Sequence, residues 1–178
     1  MLVIVVGGPA GTGKTTLAEM LAEKLHCPFT EGDQLHPQVN LDKMSSGIPL
    51  TDEDRWDWLA NVSVAACKHG ADPSNKTGFS IVSCSMLKKI YRDHIVESAV
   101  GENVEFRFVF LYSTLEELYK RVDNRKGHFM KSDMVTSQYE IMEVPSGKEL
   151  IENGGSALAV DTTGKGPQEV FAEVAKHF

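Results

Sequence analysis

Glycines, a lysine and threonines near the amino terminus form the pattern with the clearest chemical meaning in this chain. Residues 8–15 read GPAGTGKT, which matches the GxxxxGKT pattern of a phosphate-binding loop. The glycines at positions 8, 11 and 13 let the backbone curl so that its N–H groups point inward, and a following helix adds the positive end of its dipole. The segment therefore predicts a nucleotide site.

Individual residues of this loop have predicted roles in holding ATP and Mg²⁺. Lys14 is predicted to reach the β- and γ-phosphates, and Thr15 to ligate Mg²⁺ through its hydroxyl. The third predicted strand ends at Ser83 rather than at an aspartate, so a carboxylate such as Asp33 is expected to hold the metal through water. The other predicted nucleotide contacts are Gly8, Gly11, Thr12, Gly13 and Thr16.

A second polar segment, residues 31–44, follows a short predicted strand and is expected to open at the same sheet edge as the phosphate loop. Asp33 is predicted to orient an acceptor hydroxyl and take its proton, because phosphoryl transfer needs positioning more than a strong base. Glu31 could share the same face. His36 is either an acceptor contact or a structural histidine of the turn before Pro37.

Four cations suggest that the acceptor carries negative charge. Lys43 and Arg55 flank the polar segment, and Lys88 and Arg92 are four residues apart on one face of a predicted helix. Arginine binds a carboxylate through two parallel hydrogen bonds, whereas lysine acts as a point charge. All four are predicted to face one cleft; the alternative is that each is an ordinary surface charge.

Two arginines further along are predicted to close over the nucleotide. Arg121 and Arg125 share a helix face and could neutralise charge on the transferring phosphoryl group while excluding water. The alternative is that they complement the carboxyl end of a helix that Gly127 terminates. The two interpretations are compatible.

Alternating apolar runs and helical patterns predict the elements that position these residues. Residues 2–6 form an apolar, β-branched run typical of a strand buried on both faces, and helical spacing begins at Lys14. A doubly wound α/β sheet is the expected architecture. The other predicted strands are 28–31, 79–83, 106–111 and 157–160, and the later helices are 52–69, 85–99, 114–126, 132–143 and 166–178.

The length, the net charge and the cysteine content limit the number of domains, the partners and the compartment that the protein can have. The chain has 178 residues, enough for one domain, and its net charge of −7 disfavours nucleic acid and anionic membranes as partners. Three cysteines without CxxC spacing favour reduced thiols. Because no run approaches about 20 apolar residues, a cytoplasmic protein without a membrane partner is expected.

Four segments in order resemble the gluconokinases, small ATP-dependent sugar-acid kinases. These segments are EGDQLHPQVNLDKM at 31–44, PLTDEDRWDWL at 49–59, CSMLKKIYRD at 84–93 and GHFMKSDMVTSQ at 127–138. The resemblance implies a three-layer P-loop kinase fold of the nucleoside-monophosphate-kinase type, in one domain spanning 1–178. It also implies a substrate-binding insertion at about 32–60 and a lid at about 121–138.

The resemblance further implies transfer of the ATP γ-phosphate to the 6-hydroxyl of D-gluconate, giving 6-phosphogluconate for the pentose phosphate route. Members are often dimeric, so a homodimer is a further expectation. One departure is Val96, where the family usually has arginine. The implied catalytic residues are Lys14, Asp33, Arg121 and Arg125, with Arg121 also binding nucleotide, and the implied acceptor contacts are Asp33, His36, Lys43, Arg55, Lys88, Arg92, His128 and Gln138.

Two other functions stay open at this point. A P-loop kinase for another small hydroxy acid, such as shikimate, would share the fold and the aspartate at a strand end. A nucleotide-dependent regulatory or binding module would share the phosphate loop alone. A GTPase switch is disfavoured because no NKxD follows the DxxG pattern at 161–164. Residues 161–167 are predicted by position to lie beside the adenine.

Overall fold

Five parallel strands form the centre of the protein in a computed structural model that describes residues 1–124 and 132–178. The spatial order is β2-β3-β1-β4-β5, and every neighbouring pair is parallel. The five predicted strands are therefore confirmed, with ends that differ from the prediction by at most one residue. The strands are β1 (Leu2–Gly7), β2 (Phe29–Glu31), β3 (Phe79–Ser83), β4 (Glu105–Tyr112) and β5 (Ala157–Asp161).

Seven α-helices of the described residues connect the strands. They are α1 (Lys14–Leu25), α2 (Gln38–Ser45), α3 (Trp56–Ala71), α4 (Lys89–Glu97), α5 (Leu115–Asp123), α6 (Ser132–Ile141) and α7 (Pro167–Val174). Short 3-10 turns occupy Gly32–Leu35, Gly147–Glu149, Ile151–Asn153 and Ala175–His177. None of the helices in the described ranges is long and apolar enough to span a bilayer.

Two helices begin later than predicted. The predicted helix 52–69 starts at Trp56, because the Asp54 carboxylate accepts the backbone N–H and the hydroxyl of Thr51 and closes a turn. The predicted helix 85–99 starts at Lys89, since the backbone of Lys88 is extended. Lys88 therefore precedes the helix that carries Arg92, and the prediction that both share one helix face is wrong.

The sheet is covered on both sides, as a three-layer α/β architecture requires. Alternate residues of β1 enter different cores: Val3 and Val5 face α3 and α4, whereas Ile4 and Val6 face α1 and α7. All four side chains are fully buried. This explains why the strand is apolar at every position rather than at every second one.

The carboxyl ends of the strands meet at one edge of the sheet and supply the candidate site. β1 leads into the loop 8–13, β2 into Glu31 and Asp33, and β3 into residues 83–85. A small third core, formed by Ala10, Leu118 and Val135, packs α5 and α6 against the loop after β1. One edge therefore collects the phosphate loop, the polar segment that begins at Glu31 and the residues that follow β3.

Candidate active site

The loop after β1 has the curled backbone that an anion cradle needs. Gly8 has a φ of 128°, and a Cβ at this position would lie 2.0 Å from the Leu111 carbonyl oxygen, so only glycine fits. Gly13 has a φ of 89°, and a Cβ there would meet nothing within 4 Å, which leaves its surroundings open for phosphate. The Thr12 hydroxyl and the Lys14 ammonium donate to the Pro9 carbonyl at 2.8 and 3.2 Å.

A cavity of about 330 Å³ adjoins this loop and brings most of the predicted nucleotide contacts together. Its wall includes Gly11, Thr12, Gly13 and Thr16, with Arg121 on the opposite side. The remaining wall comes from Leu17, Asn124, Thr162, Lys165, Pro167 and Val170, in agreement with the predicted adenine segment 161–167. The shape and the loop geometry suit a nucleotide.

Arg121 is held at the rim of this nucleotide cavity. Its Nε donates to Glu117 at 3.0 Å, and its Nη1 donates to the Thr162 hydroxyl at 3.0 Å. These contacts tie the end of α5 to the loop after β5. The contact of Arg121 with the nucleotide phosphates stays a prediction. Arg125, which is predicted to act with it, and His128 lie outside the described residues.

Thr15 and Glu31 form the pair that could hold a magnesium ion. The Thr15 hydroxyl donates to Glu31 Oε2 at 2.6 Å, and the Ser83 hydroxyl donates to the other carboxylate oxygen. A hydroxyl and a carboxylate at the mouth of an anion cradle are the hard oxygen donors that Mg²⁺ prefers, so these residues fit the ion. The carboxylate beside Thr15 is thus Glu31, whereas the sequence suggested Asp33 for this position.

A second cavity, of about 460 Å³, is lined by Lys14 and is termed the acceptor cavity below. Asp33 and His36 from the segment after β2, Arg55 at the start of α3, and Gln138 from α6 all line it. The structure therefore brings five of the predicted site residues, counting Lys14, to one place. The other lining residues are Leu41, Met44, Ser45, Leu50, Ser85 and Met134.

Arg55 carries a buried positive charge into the acceptor cavity. The residue is 4% exposed, its Nε has no hydrogen-bond partner among the described residues, and its two other nitrogens make only long bonds, at 3.4 Å to Ser85 and 3.5 Å to the Leu50 carbonyl. Burial lowers the pKa of Arg55. Within residues 1–124 and 132–178 this guanidinium forms no ion pair with a carboxylate, so the carboxylate of a ligand can supply that partner.

The other three predicted cations lie outside the acceptor cavity, each with its own acidic partner. Lys43 pairs with Asp54 at 2.6 Å, and Lys88 pairs with Asp52 at 2.8 Å. The Arg92 guanidinium, only 3% exposed, pairs with Glu149 at 2.8 Å and also donates to the carbonyls of Met86 and Glu143. Of the four cations, the structure brings only Arg55 to the acceptor cavity, whereas the other three are each paired with a carboxylate; their contact with the acceptor stays a prediction.

The contacts of Arg92 predict an effect on stability rather than on binding. Arg92→Met is expected to lower the free energy of unfolding by about 3 kcal/mol, because it leaves Glu149 and the carbonyls of Met86 and Glu143 without their donor. Urea denaturation measures this change. Arg107→Met is the matched control, since Arg107 lies at the amino end of β4, is partly exposed, and pairs weakly with Glu105 at 3.8 Å.

The same Arg92→Met variant is expected to keep its affinity for the acceptor within about twofold of wild type, because Arg92 does not reach the cavity. A large loss of acceptor affinity with unchanged stability would instead place Arg92 on the substrate.

Val96, the departure from the family pattern, is 46% exposed on α4 and also lies away from the acceptor cavity.

Gln138 links α6 to the phosphate loop. Its Oε1 accepts the backbone N–H of Ala10 at 2.8 Å, and the residue is buried. Because the same side chain lines the acceptor cavity, it joins the predicted lid, the nucleotide loop and the acceptor site at one point. Its predicted contact with the acceptor is not tested by this geometry.

Several site residues were not predicted from the sequence. Ser85 and the apolar residues Leu41, Met44, Leu50 and Met134 line the acceptor cavity; they lie within the four segments that resemble the family, but none of them was predicted as a site residue. Leu41 and Met44 are three residues apart on α2, which is a helical spacing that could have indicated one apolar face. Glu31 was noted beside Asp33, but its contact with Thr15 required the register of β2 and β3.

Comparisons with known proteins agree with this geometry. A family model described as an AAA domain matches residues 4–143. The chain is 49% identical over 148 residues to a probable gluconokinase of Saccharomyces cerevisiae, covering 80% of this chain and 75% of the relative. It is 38% identical over 177 residues to a gluconokinase of Gluconobacter oxydans, covering 98% and 90%.

A solved structure shares the whole architecture. The crystal structure of a gluconokinase from Sinorhizobium meliloti 1021 superposes with a TM-score of 0.77 at 38% identity, covering 98% of this chain and 94% of that one. The match therefore covers nearly the whole of both chains. The chain belongs to the gluconokinase family.

Proposed function

We propose that this protein is an ATP-dependent kinase that phosphorylates D-gluconate at its 6-hydroxyl, giving 6-phospho-D-gluconate and ADP for the pentose phosphate route. The observation that carries the proposal is the buried Arg55 guanidinium, which lacks a carboxylate partner among the described residues and lines the same cavity as Asp33 and Lys14. A linear sugar acid supplies the missing carboxylate at one end and a primary hydroxyl at the other. Membership of the gluconokinase family supports the same assignment.

The proposed reaction uses Asp33 and Lys14, which both line the acceptor cavity. Asp33 orients the 6-hydroxyl and takes its proton as the oxygen attacks the γ-phosphorus, while the bond between that phosphorus and the bridging oxygen of ADP breaks. Lys14 neutralises charge that develops on the phosphoryl oxygens. Arg121 would add to this charge neutralisation if the segment that carries it closes over the phosphates.

Thr15 and Glu31 are the residues proposed to hold Mg²⁺. When bound, the ion neutralises the β- and γ-phosphates and fixes their orientation. The hydrogen bond between the Thr15 hydroxyl and Glu31 aligns two oxygen donors beside the phosphate loop. Ser83 donates to the same carboxylate and restrains its rotation.

The protein is further proposed to act in the cytoplasm, and its three cysteines, which are all free and within the described ranges, support a reducing compartment. Burial raises the pKa of the Cys84 thiol to about 12, so this residue beside the site is unreactive.

Homodimerisation stays a prediction, which sedimentation of the purified protein would test.

A pair of acceptors of equal length provides the sharpest test of the proposed function. Release of ADP is measured with gluconate and with sorbitol, which replaces the carboxylate by a neutral alcohol. We expect kcat/KM for gluconate to exceed that for sorbitol by about 10²-fold, because a buried charge pair contributes about 2–5 kcal/mol when one partner is removed. In Arg55→Met we expect kcat/KM for gluconate to exceed that for sorbitol by only a few-fold. The reason is that this variant loses affinity for gluconate, whereas its kcat/KM for sorbitol stays the same.

The controls separate the alternatives. Arg107→Met, an arginine at the opposite end of the sheet, should keep the full preference for gluconate. Rapid turnover with shikimate and little with gluconate would contradict the proposed acceptor. Binding of ATP without turnover of any acceptor would contradict the assignment as a kinase.

A further inference from the structure

We propose that Asn40 is a positioning residue that holds His36 as a neutral imidazole with its proton on Nε2, so that this N–H donates a hydrogen bond to a hydroxyl of the acceptor. The identity of the acceptor rests on the proposed function; the protonation pattern of His36 does not.

The orientation of the Asn40 amide follows from a backbone oxygen. Asn40 is 1% exposed on α2, and its Nδ2 lies 2.7 Å from the Asp54 carbonyl oxygen. A carbonyl oxygen only accepts hydrogen bonds, so the amide nitrogen of Asn40, rather than its oxygen, must be the atom that faces it. The amide therefore has one orientation that satisfies this buried contact.

The proton on His36 follows from the orientation of Asn40. The same Asn40 Nδ2 lies 3.3 Å from His36 Nδ1. An amide nitrogen donates and does not accept, so His36 Nδ1 must be the acceptor and carries no proton. The single proton of a neutral imidazole then lies on Nε2.

Packing fixes the plane of the His36 ring. The ring stacks on Trp58 with centroids 4.0 Å apart and an angle of 12° between the planes. Trp58 is fully buried and is itself held by a hydrogen bond from its Nε1 to the Gly32 carbonyl at 2.8 Å. Tilting the imidazole out of this plane would break the stacking, and turning the ring over would remove Nδ1 from Asn40.

The Nε2 atom is the part of His36 that is available to a ligand. Among residues 1–124 and 132–178, the only hydrogen bond of the ring is the one at Nδ1, and the residue lines the acceptor cavity beside Asp33 and Arg55. A polyol offers several hydroxyl oxygens that accept hydrogen bonds. His36 would thus recognise a hydroxyl, whereas Arg55 recognises the carboxylate.

The charges around His36 favour the neutral ring. Arg55 faces it from the start of α3, and Lys14 and Asp33 line the same cavity from the phosphate loop and the segment after β2. Burial, together with the nearby Arg55, lowers the pKa of His36 to about 4. The ring therefore donates from Nε2 at neutral pH without adding charge and without competing with Asp33 for the acceptor proton.

Nuclear magnetic resonance of protein labelled with ¹⁵N-histidine tests the protonation pattern directly in the unliganded enzyme. His36 is identified by the signals that disappear in His36→Gln. We expect a protonated Nε2 and an unprotonated Nδ1 whose shifts stay constant from about pH 5.5 to about pH 8. A proton on Nδ1, or titration near the ordinary value of about 6.5, would overturn the proposal.

Asn40→Ala tests the role of the asparagine. We expect the single form of His36 to be replaced by a mixture of both neutral forms, and KM for gluconate to rise about fivefold while kcat changes by less than about twofold. Asn75→Ala is the matched control, because Asn75 Nδ2 donates to the carbonyls of His69, Gly70 and Phe79 away from the cavity. It should reduce stability yet leave the His36 signals and KM unchanged.

The outcomes separate this inference from the proposed function. Wild-type protein that phosphorylates gluconate but carries its His36 proton on Nδ1 contradicts the inference alone. Wild-type protein with the expected His36 spectrum but no turnover of gluconate contradicts the proposed function alone. If Asn40→Ala does not fold, the wild-type spectrum still decides whether Nδ1 accepts.

Discussion

Lys14→Ala is expected to lower kcat/KM by about 10³-fold or more, because it removes the one side chain that lines the acceptor cavity from within the phosphate loop. Lys14 lines the acceptor cavity, whereas its neighbours Gly13 and Thr16 line the nucleotide cavity. Neither backbone N–H groups nor Arg121, which is held at the rim by Glu117 and Thr162, can take its place. Coupled ADP release with gluconate as acceptor measures the loss.

Lys24→Ala is the matched control for this experiment. Lys24 lies on the same helix, α1, and its Nζ donates to the Ala175 carbonyl at 2.6 Å, far from both cavities. The control should keep wild-type kinetics. Near-normal activity of Lys14→Ala, in protein whose circular dichroism matches wild type, would contradict the assignment of residues 8–15 as the nucleotide site.

Asp33→Asn is expected to lower kcat by about 10²- to 10⁴-fold, the usual contribution of a positioned general base. The amide has almost the same shape as the carboxylate but cannot accept the proton of the attacking hydroxyl. KM for ATP should change by less than about threefold, since Asp33 lines the acceptor cavity and not the nucleotide cavity. Steady-state kinetics with each substrate varied in turn separate the two effects.

Asp42→Asn provides the comparison for that variant. Asp42 is an exposed carboxylate of the same polar segment, whose Oδ1 accepts from the Gln38 side chain. Its replacement should leave kcat unchanged. An unaltered kcat in Asp33→Asn would remove Asp33 from the mechanism and direct attention to Glu31, which is the last residue of β2 and contacts Thr15.

The strands and the phosphate loop were predictable because their signals are local. A run of β-branched residues such as 2–6 favours extended backbone, and glycines at positions with positive φ mark the turn that follows. Helix starts were less predictable, since Thr51 and Asp54 form a side-chain turn that competes with helix formation. The beginning of α3 at Trp56 is a consequence of that competition.

The four predicted cations of the acceptor site show most clearly what could not be predicted from the sequence. Lys43, Arg55, Lys88 and Arg92 are equivalent in the sequence, as basic residues near polar motifs. In the fold, three of them meet Asp54, Asp52 and Glu149, and Arg55 meets no carboxylate of the described residues. Which charge is compensated depends on side chains that are distant in sequence, as the 57 residues between Arg92 and Glu149 illustrate.

The amino-acid sequence by itself determined the phosphate loop, the α/β architecture and the family, because these depend on short segments whose residue types restrict the backbone or match a pattern. Only the tertiary structure decided that Glu31 contacts Thr15, that Arg55 is the buried cation of the acceptor cavity, and that Asn40 orients His36. The physical reason is that hydrogen bonding and charge compensation act over a few ångströms. Such contacts exist only after parallel strands have brought distant segments to one edge of the sheet.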